Sequence, residues 1–383
     1  MSTPTYKLVI VQPYVPAYRL AFFEKLISSL STYGIDCRVA ASDPDHEQSK
    51  RGDATKPSWV IPVRQRRIKV GSRSINLGGS RKAWSAADAV IVGLVGSSLD
   101  TYLALMDSRF RRLKIGLWGH VKPYVSPGNR LDLWLERLQM KLADEIFAYT
   151  KGGRDFAEAG GIASDKITTV MNAVDTGALE DAVLSTSEEE AASFSALHSV
   201  DPSKTLAFVG GLDSSKRIEF LAESLERIWE LDPSVKFLIG GLGPDSHHLA
   251  PAVARGQAIT LGYVDAKQMA LLARSVKGIV MPGRIGLVAV DALVLGLPVI
   301  TTDWAFHAPE SEYLTEGSTR FTSPDSPEAY ADAVVSFIAQ PAVDRVETPW
   351  FPTIDDMVAN FTTGILRMLK VAERDYGSFA DTK

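Results

Sequence analysis

The residues best suited to chemistry lie between Val280 and Glu310, in the run VMPGRIGLVAVDALVLGLPVITTDWAFHAPE. A short apolar run ends at Pro282-Gly283, a loop carries Arg284 to Gly286, and an apolar helix pattern follows from Leu287 to Gly296. Pro298 just past Gly296 marks the stop, and LPVITT reads as a buried parallel strand. A helix N-terminus behind a Gly-containing loop presents unpaired N–H groups and a positive dipole end, which suits a phosphate. Asp291, five residues past Gly286, puts a carboxylate where two ribose hydroxyls can donate to it. A plain βαβ unit with glycine used only for turns gives the same pattern. Two further candidates lie near the N-terminus. Tyr18 and Arg19 follow a first strand, and His120 ends the strand LKIGLWGH. Both places are carboxyl edges of a parallel sheet, where substrates bind. A surface ion pair for Arg19, and a hydrogen-bonded structural role for His120, are the simpler alternatives.

The elements that must position these residues alternate strand and helix. YKLVIVQP is a strand, and Leu20, Phe22, Phe23, Leu26, Ile27 and Leu30 recur at helical spacing up to Gly34. IDCRVAAS completes a βαβ unit, and AADAVIVGL, LKIGLWGH, EIFAYT and KITTVMNAVD continue the series. DLWLERLQMKLAD is an amphipathic helix. Residues 180–203 are polar and acidic without strand character, and the interdomain boundary is expected there. A second series follows, with TLAFVGG, VKFLIGG, AITLGYV and KGIVMPG as strands and Asp265 capping a short helix. The expected fold class is therefore α/β with two Rossmann-like domains, over residues 1–185 and 200–350.

Composition sets the bounds. A chain of 383 residues with 45% hydrophobic and 23% charged residues is that of a globular protein of two or three domains. A net charge of −5 argues against a nucleic-acid partner. The lone Cys37 excludes an intrachain disulfide and a Cys-based zinc site. No run approaches a membrane span, no signal peptide precedes KLVIV, and a cytoplasmic location is expected. Residues 50–82 hold ten Lys or Arg against Asp53 alone, either a solvated face or a peripheral contact with the inner face of the membrane.

VGGLDSSKR, IGGLGPD, LGYV, PGRIGLVAVDALVLGLPVITTD and HAPE, in this order, resemble the donor domain of retaining GT-B glycosyltransferases of the large family 4 group. The N-terminal YR-x-x-FF pattern, WGH and MNAVD extend the resemblance over nearly the whole chain. It implies two Rossmann-like domains facing each other across a cleft, and a C-terminal helix over about residues 355–383 that returns to the N-terminal domain. It further implies transfer of a sugar from a nucleotide diphosphate sugar to a hydroxyl acceptor (a glycan, polysaccharide or lipid-linked saccharide) with retained configuration. The leaving phosphate would take the acceptor proton, and neither a metal nor another cofactor would be needed. Lys216 matches the lysine on the donor diphosphate. Gly211 stands where the family has arginine, with Arg217 next to Lys216 as a substitute charge. In the Glu-x7-Glu motif Asp291 replaces the second acid, and Gly283, beside Arg284, replaces the first. The N–H groups of Gly286 and Leu287 match the distal-phosphate loop, and Tyr263 and Val264 the edge that meets the nucleobase; His120 matches the histidine beside the transferred sugar and is expected, with Lys216, to be catalytic, while Tyr18, Arg19 and His120 are expected on the acceptor side. His307 and Glu310 fall in the polar loop after the last strands. A nucleotide-sugar epimerase, a phosphorolytic enzyme and a non-catalytic partner subunit keep the same fold. A dehydrogenase is disfavoured because no strand opens a Gly-x-Gly-x-x-Gly fingerprint.

Overall fold

The computed structural model describes residues 5–44, 54–65, 67–70, 73–124, 130–341 and 350–371. Residues 50–53, 66 and 71–72 of the basic stretch, and the end of the chain past 371, lie outside them. The chain divides into two compact units. One holds Met1–Pro123, Pro127–Asp175 and Pro352–Lys383, and the other holds Tyr124–Ser126 and Thr176–Phe351.

The first unit is built on a seven-stranded sheet, with strands β1 Tyr6–Gln12, β2 Ile35–Ala41, β3 Val60–Pro62, β4 Ala89–Gly93, β5 Lys114–Gly119, β6 Glu145–Ala148 and β7 Ile167–Thr169. Their order is β7-β6-β5-β4-β1-β2-β3 and every pairing is parallel. The apolar runs read as strands are buried on both faces, as a helix-covered parallel sheet requires. Helices α1 Leu20–Thr32, α2 Leu99–Phe110, α3 Arg130–Leu142 and α4 Lys151–Ala159 connect them.

The last helix, Ile354–Leu369, belongs to this unit. Thr353 opens it with a capping box to Asp356, and it packs on α1 and on the strands β5 to β7. Phe361 stacks on Phe147 with ring centroids 4.9 Å apart and meets Trp118 edge-on. Its polar anchor is Arg367, whose guanidinium forks onto the buried carboxylate of Glu145 while Nη2 also donates to Thr168 at 2.7 Å. Burial raises the Glu145 carboxyl even against this partner. Removing the partner from a buried charge costs more than the pair contributes. Arg367→Ala is expected to lower the unfolding free energy by about 3 kcal/mol at pH 7. The loss should shrink as Glu145 takes up a proton below neutrality, and Glu145→Gln should recover part of it. Urea melts of the wild type, Arg367→Ala and Arg367→Ala/Glu145→Gln at pH 5 and pH 7.5 check this.

The second unit carries six parallel strands, β8 Thr205–Val209, β9 Lys236–Gly240, β10 Ala258–Gly262, β11 Ile279–Val280, β12 Val299–Thr302 and β13 Arg320–Ser323. The order β10-β9-β8-β11-β12-β13 winds outward from β8 and then reverses, which puts a topological switch point between β8 and β11. Helices α5 Gly177–Ser185, α6 Glu188–Leu197, α7 Ile218–Leu231, α8 Ala250–Ala254, α9 Ala266–Ser275, α10 Val288–Leu295 and α11 Pro327–Ala339 flank it. The division between units falls after Asp175, ahead of α5, against the sequence expectation of 185. The reason is packing: Leu179 lies in the second unit's core and α5 lies against α9 and α10.

Candidate active site

The switch point brings two sequence-selected loops together. The loop after β8, residues 210–216, leads into α7, and the loop after β11, residues 281–287, leads into α10. In the first, Asp213 caps a short turn: its carboxylate accepts from the N–H of Ser215 at 2.8 Å and from the Ser215 hydroxyl at 2.6 Å. This turn presents Lys216, whose Nζ donates to the carbonyl of Arg284 at 2.5 Å. The Arg284 N–H donates back to the Ser215 carbonyl at 2.9 Å. Burial is the main cause that lowers the Lys216 ammonium to about 8, with Asp213 and Glu310 opposing and Arg284 adding to it.

The second loop is held from its other side by His307. The Ile285 N–H donates to Nδ1 at 3.2 Å, so the proton belongs on Nε2, which lies 3.0 Å from the Thr302 carbonyl. Burial lowers the His307 imidazole, which keeps it neutral in this bridging tautomer. With the N–H groups of Arg284 and Ile285 so engaged, those of Gly286 and Leu287 find no acceptor among the described residues. They lead into α10, which starts two residues after Gly286 and ends at Gly296 with φ +64°. Asp291 sits in its first turn. No described group donates to its carboxylate, and burial raises it to about 6. Glu310 is buried nearby and acts on the Lys216 charge.

The remaining candidates divide. Arg217 takes the left-handed conformation at φ +56°, and its guanidinium is committed to Asp325 and lies 4.1 Å from the Phe220 ring centre. Gly211 is exposed beside Asp213. Tyr263 follows β10 and is 78% exposed, while Val264 packs against Gly240. Gly283 is a point of close approach: a Cβ built there would stand 2.3 Å from the Lys216 carbonyl carbon. In the first unit, Tyr18 is exposed and Arg19 is buried, with Nη2 donating to Asn172 at 2.6 Å and Nη1 to the Met357 sulfur at 3.5 Å. Arg19 thereby ties the loop after β1 to the loop after β7 and to the last helix. His120, past β5, meets the Tyr149 ring edge-on with centroids 4.7 Å apart.

Three site features escaped the sequence reading. Asp213 orients the Lys216 turn, and its signal was an acid two residues ahead of Ser215 at a strand end. Gly241 and Gly243 let the loop after β9 press on the loop after β8, where a Cβ would stand 1.8 Å from the Gly210 carbonyl oxygen and 2.1 Å from that of Leu212. Their signal was the motif IGGLGPD.

Residues 203–340, which contain all of the second unit's candidates, match the family model described as glycosyl transferases group 1. Over these residues the second unit is similar to a group 1 glycosyl transferase domain. The sequence of a Klebsiella pneumoniae protein, described as an uncharacterized 41.2 kDa protein in cps region, is 28% identical over 183 residues. That match covers 46% of this chain and 48% of the relative, so the chain spans about half the length of the relative it matches. Solved structures are similar over the whole fold. A glycosyltransferase from Rickettsia africae superposes with TM-score 0.64 at 13% identity, over 96% of this chain and 99% of its own. Anabaena HepE in complex with UDP gives 0.61 at 12%, over 97% and 99%. A UDP-GlcNAc 2-epimerase from Methanocaldococcus jannaschii, in complex with UDP-GlcNAc and UDP, gives 0.57 at 17%, over 96% and 100%. The region that matches the group 1 model thus sits in a chain of GT-B fold, a fold that both transferases and epimerases use.

Proposed function

We propose that the protein is a glycosyltransferase that moves a sugar from a nucleotide diphosphate sugar to a hydroxyl acceptor with retained configuration. One observation carries this reading: Lys216 and the two unclaimed N–H groups of Gly286 and Leu287 share one loop pair at the switch point of the group 1 domain. A lysine and a helix N-terminus form a seat for a diphosphate. Asp291 in the first turn offers an ionised acceptor to the ribose hydroxyls. UDP and UDP-sugar in structures of the same fold support a nucleotide donor. Charge developing on the leaving nucleotide meets Lys216 and backbone dipoles already in place, and we assign the acceptor proton to the leaving phosphate. No metal is assigned a part in this step.

Affinity for the nucleotide should follow the two perturbed groups. Ribose hydroxyls favour ionised Asp291, so affinity rises with pH through about 6. The diphosphate favours protonated Lys216, so affinity falls above about 8. The sign for stability is opposite. Asp291 binds its proton more tightly when folded, so it opposes folding as pH rises past the normal carboxylate range towards about 6 and above. Lys216 binds its proton less tightly when folded, so its penalty to folding builds as pH falls below the ordinary lysine range and is complete below about 8. Asp291→Asn is therefore expected to raise the melting temperature at pH 7 while weakening nucleotide binding about tenfold or more. Calorimetric titrations from pH 5 to pH 9, with melts of the variant, check both halves.

The test of the function is nucleotide release from UDP-, GDP- and TDP-sugars, with and without saccharide acceptors. Release from one donor, with the anomer retained in the product, supports the reading. An epimerised sugar with no acceptor consumed would replace it with the epimerase reading. No binding and no release would leave a non-catalytic subunit.

A further inference from the structure

We infer that the first unit carries a docking face for an anionic lipid bilayer, formed by α2 and α3. The helix α3 is amphipathic in an inverted sense. Gln139 and Met140 are buried, while Leu131, Trp134, Leu138 and Leu142 are exposed, Trp134 to 59%. At 100° per residue these four fall within one stripe. Arg130, Arg137 and Lys141, also exposed, run along one margin of it. The neighbouring helix α2 repeats the arrangement: Leu99, Met106 and Phe110 are exposed on one face, with Phe110 84% exposed and Arg109, Arg111 and Arg112 at that end. The two helices lie side by side.

The carboxylates of these helices decide the partner's charge. None of the four is exposed. Asp100 accepts from the N–H groups of Gly79 and Ser80. Asp107 accepts from Arg81 and from the Trp84 indole at 3.2 Å. Glu136 accepts from the Gly96 N–H at 3.3 Å, and Asp132 is half-buried. The outward faces therefore offer large exposed apolar side chains and exposed cations, with none of the four carboxylates fully exposed among them. That is the composition of a surface that inserts shallowly among lipid acyl chains while its cations meet anionic head groups. A second copy of this chain on the same face would set cations against cations. No described helix is long and apolar enough to cross a membrane.

The experiment is flotation of the full chain, without donor, on vesicles of phosphatidylcholine alone or with about 30 mol% phosphatidylglycerol. Binding is expected on the anionic vesicles only and should weaken as salt is raised. Phe110→Ser with Trp134→Ser should reduce it at least tenfold, and each of Arg130→Gln, Arg137→Gln and Lys141→Gln by about fivefold. Brominated lipid should quench the fluorescence of the wild-type protein, and Trp134→Phe should remove most of that quenching. This second readout holds even if the double variant folds poorly. Failure of the wild type to float on anionic vesicles would overturn the inference, as would unchanged binding in a folded Phe110→Ser/Trp134→Ser variant. Self-association that the double variant abolishes, without vesicle binding, would assign the face to a second copy instead. None of these readouts depends on sugar transfer, so the bilayer inference and the transferase reading fail separately.

Discussion

Lys216→Met is expected to reduce nucleotide release from the preferred donor by about 10²- to 10³-fold with no loss of stability. A unit charge 4 Å from a phosphate oxygen is worth about 4 kcal/mol at an effective dielectric near 20, before desolvation. Much of the desolvation has already been met, because burial is what lowers the Lys216 ammonium to about 8. Among the described residues its Nζ donates to a neutral carbonyl, that of Arg284. Asp213 and Glu310 offset this burial only in part, so the charge is unfavourable to the empty fold at pH 7, and on the proposed reading the donor diphosphate is the anion that favours it. A structural lysine would behave otherwise: its removal would lower the melting temperature and leave the nucleotide affinity alone. Calorimetric titration with UDP, GDP and TDP alongside thermal melts separates the two. Unchanged affinity in a stable Lys216→Met variant would move the diphosphate away from this loop pair.

What could be read in advance depended on whether the signal was local. The strands were legible because a parallel sheet buries both faces of runs such as TLAFV and VITT. The loop pair was legible because glycine, lysine and a following helix occur at fixed offsets. Cation partners were not, since spacing cannot say where a guanidinium turns. Arg217 stands beside Lys216 in sequence, yet its carboxylate is Asp325, 108 residues on. Arg19 occupies the expected loop edge, but its partners are Asn172 and Met357 inside the same unit. Periodicity likewise marked α3 as amphipathic without telling which face turns inward. The apolar stripe that a soluble helix would ordinarily bury is here the exposed one.

Gly283 shows the same limit more sharply and leads to the second large effect. In sequence it reads as an acid lost from a Glu-x7-Glu pattern, which suggests that Gly283→Glu would restore a contact to the transferred sugar. The structure gives the opposite expectation. A Cβ at position 283 would lie 2.3 Å from the carbonyl carbon, 2.4 Å from the oxygen and 2.6 Å from the Cα of Lys216. All three are backbone atoms, so no side-chain rotation relieves the overlap. The loops must separate, and the bonds from Lys216 to the Arg284 carbonyl and from the Arg284 N–H to Ser215 break with them. Overpacking of this kind costs about 1–3 kcal/mol. The larger consequence is for the site, because the displaced parts are the ammonium and the loop that leads to the free N–H groups of Gly286 and Leu287. Gly283→Ala should therefore weaken nucleotide binding at least tenfold, by an order-of-magnitude estimate for a mispositioned site. Gly283→Glu should be no better than alanine, since its carboxylate begins from the same misplaced Cβ and adds negative charge beside a diphosphate. Nucleotide titrations and melts of both variants are the check. Tighter donor binding by Gly283→Glu would mean that the two loops part readily and that their contact is one of several states of the site.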